Sequence, residues 1–501
     1  MPGFEAGIES GAMAVMTAFN QVNGKYAPQS KYVVNKLLRG DLGFKWLVMS
    51  DWLSIWNAEE ALTSGLDLDM PGESEDGVYG VDDPEKYLRQ EAEQLVELGR
   101  VSQSDIDPMV SNILTTIFAM QMPKPSDKEL SYLDNYRQHE QIALETAREG
   151  VVLLKNESLF PFKPQKGQYI QVIGDYVDSL AVGGGSAYVI GYNQINLLTA
   201  LKAELGEAVR YSQNPSDEKI KNASLVLYTV ATYDSEGSDV SFDLKSRDNV
   251  EINRLTRLND NVGVIIYTGG GRNMSLWNDE VEAILYGWYP GQIGNQAIAE
   301  IISGATNPSG KLPITIERHF EDSPGFPYLP DGEELYDDFE FDFDLDHPIH
   351  DIFYDEDIFV GYRWYELKNI KPLYPFGFGL SFSDFSYENL RVFKQEYQSG
   401  EDVLVKVSVT NTSDIAGKEI VQLYVRDVEA SIARPFKELK GFRKVEFAPK
   451  ATKELIFKLT QRDFSFWDEN TSRWKLEPGT FEIIVGSSSQ NVPLTAKVNI
   501  I

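Results

Sequence analysis

Gly43-Phe44-Lys45-Trp46-Leu47-Val48-Met49-Ser50-Asp51-Trp52 ends a short, mostly apolar run, Trp46 to Ser50, in an acid and an indole. Such a run reads as a buried parallel strand that delivers Asp51 to its carboxyl end. In an α/β barrel the chemistry sits at that end of the strands. A carboxylate there serves as nucleophile, general base or metal ligand, and an adjoining Trp is a stacking surface for a sugar ring. The competing reading is an Asp that caps the next helix.

Working outward, Val15-Met16-Thr17-Ala18-Phe19 is a strand candidate followed by the turn pair Asn23-Gly24. Ser30 then caps a helix in which Val33, Val34, Leu37 and Leu38 recur at helical spacing, with Gly40 at its end. After Asp51, a helix near Ile55 to Ser64 leads into Gly65-Leu66-Asp67-Leu68-Asp69-Met70-Pro71-Gly72, a strand closed by a Pro-Gly turn. Asp83-Pro84 opens a helix from Glu85 to Leu98, and Ile106 to Met120 gives another. Strand–helix alternation marks an α/β domain. Only three such strands precede the Pro-rich stretch Met122-Pro123-Lys124-Pro125, whereas a closed eight-stranded barrel takes about 250 residues.

Beyond it, Tyr132 to Glu149 reads as a helix running into Gly150-Val151-Val152-Leu153-Leu154. Strand-like runs at Tyr169 to Ile173, Leu225 to Val230, Val262 to Tyr267 and Ala283 to Trp288 describe a doubly wound parallel sheet with helices on both faces. Gly183-Gly184-Gly185-Ser186-Ala187 lacks the bracketing of a dinucleotide site and reads as a tight loop that permits close packing. Asp331 to Asp357 interleaves acids with Phe and Tyr and reads as a solvated face or loop. From about Asp384 the texture changes to short alternating strands. Val403, Val405, Val407 and Val409 lead, followed by Ile420 to Val425, Lys440 to Phe447, Glu454 to Leu459 and Phe481 to Val485, as in an antiparallel β-sandwich.

The 501 residues exceed one core and suggest about three domains. With 46 basic against 77 acidic side chains, the net charge of −31 argues against nucleic acid or an anionic membrane as partner and favours a neutral substrate. No cysteine is present, so disulfides and thiolate metal sites are excluded. His139, His319, His347 and His350 show no zinc spacing beyond the last pair, which reads as loop. No apolar run is long enough for a bilayer, and Met1-Pro2-Gly3-Phe4-Glu5 is not the start of a secretory leader, so a cytoplasmic location is expected.

In order along the chain, these motifs resemble glycoside hydrolase family 3, the multidomain β-glucosidase type. The resemblance is carried by Val15-Met16 to Asn23-Gly24, Leu38-Arg39-Gly40-Asp41-Leu42-Gly43-Phe44 with Val48 to Trp52, Gly65 to Pro71, and Val152-Leu153-Leu154-Lys155-Asn156. It continues through Gly183 to Ala187, Trp288-Tyr289-Pro290-Gly291-Gln292, Asn307 to Pro313, Phe359 to Arg363, Tyr374 to Ser381, and Arg434 to Phe442. The resemblance implies three domains. Residues 1–122 would be the C-terminal part of a TIM-type (β/α)8 barrel, 123–383 a doubly wound α/β/α sandwich, and 384–501 a fibronectin-III-like β-sandwich. It implies that Asp51 is the catalytic nucleophile, that Trp52 lines the sugar site and that Met16 touches the sugar. Phe19 stands where the family has Tyr, which removes a hydroxyl. The general acid/base would be Glu236, in Ser235-Glu236-Gly237-Ser238-Asp239, with Val240 where the family has Arg and Asp234 as the nearest rival acid.

Retaining glycosidases set two carboxyl groups about 5 to 5.5 Å apart, one to attack the anomeric carbon and one to protonate the leaving oxygen. Asp51 is expected to stay ionised, and Glu236 to hold a proton near neutral pH through burial or a nearby like charge. With the acids on different domains, the interdomain cleft is the expected active site. The chemistry calls for no cofactor. The expected activity is hydrolysis of terminal non-reducing β-D-glucosyl residues of a small β-glucoside or oligosaccharide. The alternatives are a β-xylosidase on the same scaffold, or a truncated non-catalytic remnant or carbohydrate-binding protein. The sequence enters the barrel near its sixth strand, so open strand edges are expected to need cover from a homo-oligomer or from an N-terminal half-barrel on another chain.

Overall fold

The structure, a computed structural model, describes residues 1–71, 88–122, 131–189, 191–236, 240–328 and 352–501. The Asp83-Pro84 helix start, the prolines 123 and 125, Gly237 to Asp239, the acidic run up to residue 351, and His347 and His350 lie outside them. The chain divides into two compact units, Met1–Ser131 and Tyr132–Ile501.

In the first unit, Leu47–Trp52 is the central strand of a three-stranded parallel sheet, flanked by Ala14–Met16 and Leu68–Met70. Val48 and Ser50 are fully buried on one face while Met49 and Asp51 stand partly open on the other, the two-residue alternation of a strand. Behind it, Val34, Leu38, Phe44, Ala61, Leu62 and Leu66 close a small core. The helix after Ser30 spans Tyr32–Asp41, one residue past the Gly40 expected to end it. It is wound with i→i+5 bonds, such as Leu42 N to Leu37 O at 3.0 Å, a rare geometry. Ser30 Oγ accepts from the Val33 amide at 3.3 Å. The helix expected from Ile55 to Ser64 is only Ala58–Leu62, because the buried Gln29 carboxamide accepts the Trp56 and Asn57 amides (2.5 and 3.0 Å) and holds that segment extended. Asn57, not Asp51, caps it, accepting the Glu60 amide at 3.0 Å.

The second unit opens with the helix Tyr136–Gly150 and a six-stranded sheet. Its spatial order is Val152–Asn156, Ala283–Tyr286, Val262–Tyr267, Leu225–Ala231, Ile170–Gly174, Val209–Tyr211. Five strands are parallel, four of them expected and the fifth, Val209–Tyr211, not singled out from the sequence; the edge strand Val152–Asn156 runs antiparallel to Ala283–Tyr286. Every residue of Leu225–Ala231 is buried, since alternate side chains enter separate cores on the two faces of the sheet. Leu225 and Leu227 meet Leu197, Leu201, Ile298 and Ile301; Val226 and Tyr228 meet Ile252, Leu255 and Trp277. The Ala283 strand stops at Tyr286 rather than Trp288, whose φ of 54° is left-handed.

The terminal β-sandwich packs a three-stranded sheet (Phe385–Val392, Val403–Asn411, Thr452–Leu459) on a five-stranded one built around Gly417–Asp427 and Gly479–Gly486. Val403, Val405, Val407 and Val409 all point into that core, as their alternation requires. It joins the sheet domain through polar clamps. Asn307 donates to Ser383 Oγ and Ala416 O (both 2.9 Å) and accepts from Ser381 Oγ and the Phe382 amide (2.9 and 2.8 Å). Lys418 and Lys444, on neighbouring strands, both pair with Glu149 near the end of the first helix of the unit.

Candidate active site

In the first unit the Cα register pairs Met16 with Met49, which places Met16 and Asp51 on the same face at the carboxyl end of the sheet. Asp51 is partly exposed, its Oδ1 accepting the Trp52 amide at 2.7 Å and its carbonyl the Ser54 hydroxyl at 2.9 Å. Trp52, Met16 and Phe19 are all exposed. Beneath them lies a network that the motif reading did not single out. Asp67 is buried and accepts from Arg39 Nη2 (2.7 Å), the Val48 amide (2.8 Å) and Asn112 Nδ2 (2.9 Å), while Ser50 Oγ accepts from the Met70 amide at 2.8 Å. Burial raises the Asp69 carboxyl above the usual range. The signal was present as Asp67 and Asp69, two apart at the start of the short strand Leu68–Met70.

In the second unit, chain order and spatial order together create a switch point. From Ile170–Gly174 the chain turns outward to Val209–Tyr211; from Leu225–Ala231, its neighbour, it turns the other way to Val262–Tyr267. The helices after those two strands, Leu197–Leu205 and Ser246–Leu258, lie on opposite faces, which makes the ends at Gly174 and Ala231 the switch point at which open α/β sheets bind ligands. Glu236 and the glycine-rich loop flank that point. The loop does what its sequence suggested. A Cβ on Gly184 would stand 2.3 Å from the Tyr233 hydroxyl, and one on Gly185 would stand 2.6 Å from Glu236 Cβ.

Glu236 is exposed, and its Oε2 accepts the Ser186 amide at 3.0 Å. Hydrogen bonds from the Ser186 hydroxyl and amide hold its carboxyl below the usual range, the reverse of the raised value expected from burial or a like charge. The carboxyl is exposed, so burial opposes those hydrogen bonds only weakly. Asp234 differs: its Oδ1 takes Arg272 Nη2 at 2.5 Å and its Oδ2 the Gly269 amide at 2.5 Å. That ion pair occupies the carboxylate, whereas Glu236 keeps an open one.

Family models match along the chain in the order the motifs suggested. They are the glycosyl hydrolase family 3 N terminal domain at residues 1–116, its C-terminal domain at 151–382, and a fibronectin type III-like domain at 419–489. The beta-glucosidase BoGH3A of Bacteroides ovatus is 33% identical over 98% of this chain and 69% of its own length. The chain belongs to glycoside hydrolase family 3. The family 3 resemblance, the multidomain α/β fold and the glycosyl hydrolase class read from the sequence are all met. An exo-alpha-(1->6)-L-arabinopyranosidase of Bifidobacterium breve is 30% identical over 97% of the chain and 63% of its own length. The structure of beta-glucosidase 3B from Thermotoga neapolitana in complex with alpha-D-glucose superposes with a TM-score of 0.85 at 28% identity, covering 99% of this chain and 72% of that one. This family 3 chain thus spans 63% to 69% of the two curated relatives' lengths, and their names differ in the sugar released.

Proposed function

We propose that the chain carries the machinery of a retaining β-glucosidase, acting on terminal non-reducing β-D-glucosyl residues of small glucosides. Asp51 attacks the anomeric carbon as the bond to the leaving oxygen breaks, and Glu236 gives that oxygen its proton. Water then loses a proton to Glu236 and attacks the same carbon, freeing the Asp51 carboxylate. One water is consumed and no group is oxidised or reduced. Met16, Phe19 and Trp52 line the sugar, Trp52 offering its indole face. The observation that carries the reading is the register that sets Met16 and Asp51 on one face at the carboxyl end of a parallel strand. The first step needs Glu236 protonated, which displacement of water from its exposed carboxyl by the bound substrate favours. The names of the relatives support glucose first and leave arabinopyranose and xylose as competitors.

The two outer strands of the first unit, Ala14–Met16 and Leu68–Met70, are proposed to accept further parallel strands of a closed barrel. The test is turnover of aryl β-glucoside, β-xyloside and α-L-arabinopyranoside by wild type and Asp51→Asn, alone and with an added polypeptide spanning the first half of a relative's barrel. Glucoside turnover that Asp51→Asn abolishes while keeping its circular dichroism supports the reading. Equal turnover by the two proteins overturns it.

A further inference from the structure

The acid beside Glu236 is held by an assembly that no step of the hydrolysis employs. Arg272 is 6% and Asp234 21% exposed in side chain, and their contact, Nη2 to Oδ1, is 2.5 Å. Arg272 also donates to Thr232 Oγ1 at 3.3 Å and, through Nη1, to Ser241 O at 3.1 Å. One guanidinium therefore grips the chain on both sides of Glu236. The other carboxylate oxygen of Asp234 accepts the Gly269 amide at 2.5 Å and the Thr268 hydroxyl at 3.2 Å, which fastens the loop to the end of the adjacent strand. The backbone is clasped as well. The Tyr289 hydroxyl donates to Thr232 O and accepts the Asp234 amide, both at 2.9 Å, and the Gly184 amide donates to Asp234 O at 2.8 Å. Gly184 is two residues before Ser186, whose amide reaches the Glu236 carboxylate.

We propose that the Asp234–Arg272 pair is a positioning device that fixes where Glu236 presents its carboxyl group. The proposal rests on the assignment of Glu236 as acid/base. Asp234 and Arg272 are positioning residues: they act through the backbone of residues 232–236. A buried charge keeps its geometry only while its partner is in place, so losing either one frees the loop. Misplacing a reacting group by about 1 Å costs on the order of 100-fold in rate. The burden should fall on substrates whose leaving group needs a proton, because a dinitrophenolate departs without help from an acid.

Two measurements on the full chain test this. Backbone amide exchange is compared between wild type and Arg272→Met, with the double variant Asp234→Asn/Arg272→Met as the neutral pair that removes the risk of an orphaned buried charge. Exchange at Gly184, Ser186 and Asp234 should quicken by about 10-fold or more while that of Leu225–Ala231 stays put; unchanged exchange overturns the proposal whatever the chain's turnover. Next, hydrolysis of alkyl and dinitrophenyl glucosides is compared, with barrel-completing polypeptide added if turnover requires it. Asp234→Asn should lose about 10- to 100-fold in kcat/KM on the alkyl substrate, with little change in kcat/KM on the dinitrophenyl substrate, whose kcat reports the water-activating step instead, and Arg272→Lys should recover part of the loss. Equal loss of kcat/KM on both substrates, or azide rescue of Asp234→Ala, overturns positioning. If Glu236→Ala shows neither a leaving-group effect nor azide rescue, the acid/base assignment fails instead, and the exchange result stands separately.

Discussion

Gly185 and Glu236 approach so closely that a methyl group on the glycine would stand 2.6 Å from the glutamate Cβ, and the glycine holds a φ of +67°. Both facts demand glycine. In Gly185→Ala the left-handed backbone alone costs about 1 kcal/mol, and relief of the clash pushes Glu236 from its place. The expected result is a melting temperature a few degrees lower and a kcat at least about 10-fold lower on alkyl glucosides. A variant with unaltered kcat would show that the Glu236 position tolerates movement.

Ser186 depresses the Glu236 pKa by hydrogen bonds from its hydroxyl and its amide. Ser186→Ala deletes the first, so the carboxyl titrates at higher pH. Because the first step uses the protonated acid, the alkaline limb of kcat/KM should shift to higher pH, and a 13C titration of the carboxyl should shift the same way. The linkage has the matching sign: a depressed carboxylate contributes stability above its unfolded pKa, lost as pH falls through the folded value, so Ser186→Ala narrows the acid-side difference. An unmoved titration would remove Ser186 from this role.

Asn307 uses both ends of its carboxamide at the junction with the β-sandwich. Asn307→Ala removes four hydrogen bonds and should cost about 2 to 4 kcal/mol at roughly 1 kcal/mol each. Calorimetry of the second unit should show the β-sandwich separating from the sheet domain as its own transition. A single unbroken transition at the wild-type temperature would contradict this.

Tyr228 donates to Asp248 Oδ1 at 2.8 Å, both residues being buried. Tyr228→Phe keeps the ring and strands a carboxylate oxygen, which should cost about 1 to 3 kcal/mol in chemical denaturation. Tyr228→Phe with Asp248→Leu should recover much of that loss, since both polar partners are then gone.

Much of this molecule could be read from residue order alone, because its elements obey local rules. The Asp51 strand, the mostly apolar Leu225–Ala231 and the alternating valines of the β-sandwich each follow from side-chain period and burial. The glycine-rich loop was legible as close packing, though not what it packs on. Less legible was whatever depends on distant partners. The five-residue length of Ala58–Leu62 is set by Gln29, almost thirty positions earlier. The antiparallel sense of Val152–Asn156 is set by its neighbour from residue 283 onward. Asp234 stood as a rival acid because Arg272, which engages it, is 38 positions away. The ionisation of Glu236 was misjudged for the same reason: its donor, Ser186, lies fifty residues back, in a loop brought alongside by the crossing of the sheet.

Glu149 is the penultimate residue of its helix, three before the strand Val152–Asn156, and two lysines of the β-sandwich close on it. Tension applied at the C-terminus is thereby transmitted to the edge of the central sheet. An optical-trap pull from Ile501 should rupture that lysine–glutamate tether before the sheet yields, and a grafted module lacking Lys418 and Lys444 should part at lower force, with the Asn307 clamp still holding it.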